Sequence, residues 1–328
     1  MAKGAYIGVD GKARKVKKGY VGVDGKARKI KKAYIGIGGV AMPFFGGGVE
    51  EMVFTYTGNM VDSGVVTMSG KKYRLLQLTS SGTLTAPEAV SAEVWMCGGG
   101  TSGRGAYNTG EIGGGGGAGA FTKSGTVLLS GSMTAVIGAG GSASNYNADY
   151  NAGNSTSFAN MSTSTDFSVK YTSKSQMAGG VCGGTGGGRV MNSSVSPAGT
   201  GDGVSKYPFG ETVYFKPHCA GGGAGGCGEY SSGWCGSSGG TNGGSGSEST
   251  TYVSNGAFSG GSGGNYGGGA GGSATYENTM AYTNNGEPAT FYGSGGGGGS
   301  GIRAGSSYKR KGSGAGYQGV IYIRIPVA

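Results

Sequence analysis

Glycine comes in blocks in this chain, and the segments between the blocks carry ordinary strand residues. There are 81 glycines in 328 residues, with runs at 113–117, 221–223, 267–269 and 295–299. Such a run has no side chains to bury, and ordering it costs more backbone entropy than ordering any other sequence. It becomes rigid only where its N–H and C=O groups find partners on other segments. The flanking stretches Ala92-Glu93-Val94-Trp95-Met96, Met133-Thr134-Ala135-Val136-Ile137 and Gly319-Val320-Ile321-Tyr322-Ile323-Arg324-Ile325 read as strands. A disordered glycine linker has no need of them. The pattern predicts glycine layers mounted on a small sheet, and so a structural or recognition protein before an enzyme.

Composition narrows this further. Glycine has no three-residue period and there are only 7 prolines, which excludes collagen. With 20 Tyr, 10 Phe, 2 Trp and 13% charged residues, the chain is too aromatic for a disordered one. No apolar run is long enough for a membrane-spanning helix, and no membrane insertion is expected. The opening Met1-Ala2-Lys3-Gly4-Ala5-Tyr6 has no apolar core of a signal peptide, so general secretion is not expected.

Three regions follow: 1–45, 46–90 and 91–328. The first is a fourteen-residue repeat. Residues 5–18 (AYIGVDGKARKVKK) return as 19–32 (GYVGVDGKARKIKK), and a third copy opens at Ala33 and ends in Met42-Pro43-Phe44-Phe45. Each unit reads strand, turn, strand, because Asp10-Gly11 and Asp24-Gly25 suit a two-residue hairpin turn with positive φ. Residues 1–32 hold nine Lys, two Arg and two Asp, a balance of +9 in a chain of +10. Lys12, Arg14, Lys15, Lys17, Lys26, Arg28, Lys29 and Lys31 form a basic stripe that suits docking to an acidic protein surface or contact with nucleic acid. Units this short cannot bury a core alone, so they stack or join an oligomer.

The second region offers short antiparallel strands at 50–56, 64–68, 72–78 and 90–96, with one side buried through Leu76, Leu78, Leu84, Val94 and Met96. The third shows no helical stripe. Its strands are expected at 126–129, 133–137, 167–171, 213–215 and 320–325. Two physical solutions fit its glycine runs: loose loops, or left-handed helices of three residues per turn bonded to their neighbours. The fold class is all-β, with N-terminal hairpin repeats and a glycine-rich body.

Catalytic and metal chemistry find little support. The lone His218 adjoins Cys219, and adjacent residues of a strand rarely face each other, so it is poorly placed as that thiol's base. Asp149, Asp166, Asp202, Glu211 and Glu229 stand isolated, whereas glycosidase chemistry needs paired carboxylates. Residues 184–189 (GTGGGR) lack the Gly-Lys-Ser/Thr ending of a phosphate loop. Cys219, Cys227 and Cys235 recur every eight residues, longer than the spacings that preorganise zinc. The five cysteines are read as small apolar residues between glycine layers, with a Cys227–Cys235 disulfide as the alternative. Asn145, Asn147, Asp149, Asn151 and Asn154 are turn formers before they are a calcium loop. No cofactor and no metal are assigned.

Residues 73–87 (YRLLQLTSSGTLTAP), 90–100 (VSAEVWMCGGG), 113–121 (GGGGGAGAF), 136–141 (VIGAGG), 153–158 (GNSTSF) and the closing 319–325 (GVIYIRI) stand in an order that resembles the glycine-rich domains of bacteriophage tail fibre tips and related phage minor structural proteins. The lysine-rich repeat is similar to the openings of structural proteins from phages and prophages of Gram-positive bacteria. The resemblance implies a virion protein assembled in the host cytoplasm, attached to other phage structural proteins through its N-terminus. It implies a homo-oligomer, with a trimer favoured, and a distal end that recognises a host cell-surface glycan or polymer. Aromatic residues suit such recognition, and the candidates are Tyr107, Tyr146, Tyr150, Tyr230, Trp234, Tyr252, Tyr266 and Tyr292. The insertions at 143–150 and 252–266 depart from the family, so receptor loops are not carried over residue by residue. A head fibre, collar or decoration protein is the alternative, and a DNA-contacting particle protein a third.

Overall fold

A computed structural model describes residues 6–9, 12–15, 19–23, 26–30, 32–37, 40–46, 49, 52–106, 114, 116–146, 148, 150–165, 190–191, 194–195, 206–222, 227–229, 256–258, 260, 263, 267–277, 280–304 and 307–327. Among them there is no α-helix. The strands are β1 (Tyr6–Val9), β2 (Lys12–Lys15), β3 (Gly19–Val23), β4 (Lys26–Ile30), β5 (Lys32–Ile37), β6 (Val40–Gly46), β7 (Thr55–Tyr56), β8 (Met60–Met68), β9 (Lys71–Leu78), β10 (Gly82–Cys97) and β11 (Thr122–Val136). They continue with β12 (Ser157–Phe158), β13 (Met161–Ser162), β14 (Val190–Met191), β15 (Ser194–Val195), β16 (Cys227–Glu229), β17 (Gly256–Phe258), β18 (Ala274–Glu277), β19 (Met280–Thr283), β20 (Gly301–Ala304), β21 (Ser307–Arg310) and β22 (Val320–Pro326). The chain is all-β, and every strand pair is antiparallel except β16 with β20.

Each repeat unit folds as expected. β1–β2, β3–β4 and β5–β6 are three separate antiparallel hairpins, the first two in equivalent register, with Val9 opposite Lys12 and Val23 opposite Lys26; the Asp-Gly pairs themselves lie outside the described residues.

The main sheet has the order β13-β12-β11-β10-β22-β9-β8, with β7 on β10. Its centre is the long β10–β11 pair, which breaks register between Ala86 and Val90. Pro87 has no N–H for the ladder, and Gly131 opposite takes a φ of 59°. The bulge bends both strands there. The bend brings Leu84, Leu129, Ala135 and Phe158 into one core with Leu76, Leu78, Val94, Met96, Ile321, Ile323 and Ile325. All five residues expected on the buried side of the second region lie in it.

The opposite face is buried too. Side chains alternate along a strand, so Leu75, Trp95, Cys97, Val320 and Tyr322 point away from the first core. They form a second cluster with Phe215 and Cys219, from a segment at 206–222 that crosses this face. Arg324 fastens that segment to the sheet. Its guanidinium lies 4.5 Å from the Tyr73 ring centroid and 4.4 Å from that of Phe209. It pairs with Glu93 at 2.8 Å and Glu211 at 3.2 Å.

Several sequence expectations are corrected here. Residues 213–215 are not a strand. They follow a single 3₁₀ turn (Pro208–Gly210), and the Phe215 N–H bonds back to the Glu211 carbonyl. Of the described residues 52–56 only β7 is strand, and 126–129 and 133–136 are parts of one strand, β11. One sheet draws strands from the second and the third region: β10 runs through residues 90 and 91, and β9 pairs with the final strand β22. The strand expected at 167–171 lies outside the described residues.

The glycine runs form a lattice with a period of three. Along 98–106, the N–H groups of residues 98 and 101 bond to the carbonyls of Phe121 and Ala118. Those of 99, 102 and 105 bond to Asn154, Asn151 and Ala148, and those of 100, 103 and 106 to Tyr317, Gly314 and Lys311. Each third donor faces the same neighbour, one turn further along. This is the bonding of packed left-handed helices with three residues per turn and no internal bonds, the polyglycine II arrangement. Apart from Gly267 and Gly293, the described glycines of these runs keep φ outside the positive region, as that hand requires. The run 293–300 is bonded to six segments around it: 98–106, 114–120, 219–222, 267–273, 284–290 and 311–319. Side chains are excluded by this spacing. A Cβ on Gly297 would stand 1.8 Å from the Ala270 carbonyl oxygen. Where a hydroxyl residue does enter, its oxygen takes a lattice bond, as the Ser144 N–H bonds to Ser313 Oγ at 2.9 Å.

Candidate functional site

The lattice has two unlike ends. At one, runs continue directly into the sheet: 98–106 leaves β10, 114–121 enters β11, and 311–319 enters β22. At the other, the same runs turn back. The bonds Ala106 N–H to Lys311, Gly105 N–H to Ala148 and Gly114 N–H to Gly299 bring Ala106, Gly114, Ala148, Gly299 and Lys311 together at this far end. The Asn284 N–H to Ser273 bond closes the β18–β19 hairpin there as well, because the Ser300 N–H bonds to the Asn284 carbonyl. Two three-stranded sheets cap this end, β16-β20-β21 and β17-β18-β19, and they contact each other.

The far end displays aromatic and basic groups. Tyr146 and Tyr282 are each 57% exposed. The Arg310 guanidinium lies 5.6 Å from the Tyr146 ring centroid, within cation–π range. Lys309 and Lys311 flank it, both exposed. Tyr150 is half-buried nearby in sequence and at the same end. Exposed ring faces beside cationic donors can stack on the apolar face of a sugar and bond to its hydroxyl or acidic groups. No group of three His, Cys, Asp or Glu suited to a metal occurs among the described residues.

Of the aromatic candidates, Tyr146 and Tyr150 are therefore brought to one end. Tyr107, Tyr230, Trp234, Tyr252 and Tyr266 lie outside the described residues. Tyr292 sits at the sheet end. Its ring stacks on His218, with centroids 6.0 Å apart and planes inclined by 14°, and meets Tyr317 edge-on at 5.7 Å. Burial, then the neighbouring Tyr317 and Cys97, raises its hydroxyl above the ordinary tyrosine range. Its place is in packing. Sequence reasoning missed Tyr282 and Arg310. The hairpin pattern at 301–310 was the available signal, since a strand pair between two glycine runs must emerge at a lattice end.

Of the basic stripe, Lys12, Arg14 and Lys15 lie in β2, and Lys26, Arg28 and Lys29 in β4. Lys17 and Lys31 lie outside the described residues. Lys26 is exposed.

His218 is 1% exposed and surrounded by Trp95, Phe291, Tyr292 and Tyr322. Its Nδ1 stands 2.9 Å from the Lys216 carbonyl, which can only accept, so the proton is on Nδ1. Nε2 then accepts from the Tyr322 hydroxyl at 3.2 Å. Burial lowers its pKa to about 4. Both nitrogens are occupied in packing, and a base role toward Cys219 has no geometry. Asn151 donates its amide to the Ser142 carbonyl, and the Asn154 carbonyl accepts from Gly99, so both serve the lattice. Asn147, Asp149, Asp166, Asp202, Cys182, Cys235 and residues 184–188 lie outside the described residues.

Fold and far end together define an all-β protein whose backbone lattice carries surface loops away from a compact sheet. A family model described as a glycine-rich domain matches residues 78–326, from the last residue of β9 to the last of β22. The chain belongs to this glycine-rich domain family. No curated protein matches it.

Proposed function

We propose that this chain is a structural virion protein of a phage or phage-like tail, a distal fibre or tip adhesin that binds a host cell-surface glycan or polymer. The observation that carries the reading is the polarity of the lattice. A body held by backbone bonds does not depend on the sequence of the loops at its far end, so those loops are free to be shaped by a ligand. The exposed Tyr146 and Tyr282, with Arg310 against the first ring, give that end the chemistry of sugar recognition. The basic hairpins β1–β4 serve as the attachment to other particle proteins, and two equivalent basic units suit docking on a repeated acidic surface of the partner. A homotrimer is the favoured state.

The test is binding of the purified full chain to host cells and to extracted cell-wall polymer. Tyr146→Ala combined with Tyr282→Ala lowers the affinity at least tenfold while melting is unchanged. Equal binding by the variant and the parent would contradict the assignment.

A further inference from the structure

Two of the five cysteines meet inside the protein. Cys97 ends β10, and Cys219 belongs to the segment that covers the second core. Both are fully buried thiols. Their sulfurs converge on one glycine. The point where a Cβ of Gly293 would stand is 2.8 Å from Cys219 Sγ and 3.1 Å from Cys97 Sγ, so the sulfurs are separated by no more than those distances together, about 6 Å.

Cys219 has a φ of 62°, a left-handed conformation that is unfavourable for a residue with a side chain. Glycine would remove that cost, and this chain uses glycine freely. What cysteine adds at 219 is a sulfur beside Cys97. Gly293, itself at a φ of 69°, has no Cβ, and one would crowd both sulfurs. The segments that carry them share one bonded frame: the Cys219 N–H bonds to the Tyr292 carbonyl at 3.2 Å, and the Gly293 N–H to Gln318 at 2.8 Å. Rotation about the cysteine χ1 angles moves the sulfurs within this frame.

We propose that Cys97 and Cys219 form a disulfide that locks the covering segment 206–222 onto the end of β10 when the protein meets an oxidising surrounding. The oxidant is a small-molecule disulfide such as oxidised glutathione. One cysteine thiolate attacks its S–S bond, expelling one glutathione thiolate and forming a mixed disulfide. The second cysteine thiolate then displaces the other glutathione. The two cysteines lose two protons and two electrons, and the oxidant leaves as two thiols. The link joins sheet, covering segment and lattice at one point, whichever particle carries the chain.

The full-length protein is held in glutathione buffers of increasing oxidised fraction, warmed to the foot of its melting transition so that buried thiols can exchange. It is then acid-quenched, alkylated and mapped by mass spectrometry without reduction. The expected product is a peptide pair joined through Cys97 and Cys219, with the melting temperature raised by roughly 5–10 °C and restored by dithiothreitol. Cys219→Gly, which suits the positive φ, and Cys97→Ala each abolish the joined pair and the redox dependence of melting. A variant carrying Cys182→Ser, Cys227→Ser and Cys235→Ser keeps both. Recovery of Cys97 and Cys219 as alkylated thiols, as separate glutathione adducts, or joined to other cysteines in the most oxidised buffer overturns the proposal.

Discussion

His218 shows how a single residue sets a condition on the whole fold. Its ring is buried neutral, with a pKa of about 4 against an ordinary 6.5. As pH falls below about 6.5 the unfolded chain takes up the proton first, so the unfolded state gains. Stability is therefore full above that range, declines from about 6.5 to about 4, and levels off below. The loss is on the order of 3 kcal/mol. Denaturant titrations at several pH values check it: the parent weakens across this window, and His218→Gln loses most of that slope. Glycine is the other decisive residue. Gly297→Ala places a methyl against the Ala270 carbonyl at the most enclosed lattice run. It is expected to destabilise by about 3 kcal/mol or more, because backbone rather than a side chain must move. Gly70→Asn, at a positive φ of 76° with open space around it, is expected to cost little, and thermal melting of the two variants separates these cases.

At the level of elements, the sheet is held by one curled core. Phe158 is fully buried in it although its strand, β12, is only two residues long. Phe158→Ala is expected to cost about 3–5 kcal/mol in equilibrium unfolding, as for other large core deletions. Much of this sheet was legible in the sequence. The alternation in β9 and β10 gave the inward set Leu76, Leu78, Val94 and Met96, and the strand-turn-strand reading of the repeats gave the pairs β1–β2 and β3–β4. The second core was not legible. Trp95 and Tyr322 announce an apolar face, but nothing local in 206–222 says that this segment covers it, since its contacts with that face are long-range. Residues 213–215 read as a strand because Val, Tyr and Phe favour one. Docking of Phe215 against Tyr322, with ring centroids 4.9 Å apart, overrode that preference. The sequence left the glycine runs open between loose loops and helices of three residues per turn, because the deciding period resides in the bonds between runs and not in the order of glycines within one.

The whole molecule combines basic N-terminal hairpins, a sheet and a lattice whose end away from the sheet carries exposed aromatic and basic groups. Two consequences belong to this scale. On the proposed function, attachment through β1–β4 is electrostatic, so binding of the N-terminal region to its particle partner should weaken steeply between low and physiological salt. Binding of the far end to a neutral glycan should change little over the same range. Removal of residues 1–32 should abolish incorporation into particles and leave host-cell binding by the free protein intact. The most direct measurement is electron cryo-microscopy of the assembled particle with this chain located in the map. The account predicts density at the distal end of the tail, with the hairpins held by the particle and the Tyr146 end of the lattice pointing outward. Density on the capsid or along the tube, with that end packed against other subunits, would contradict it.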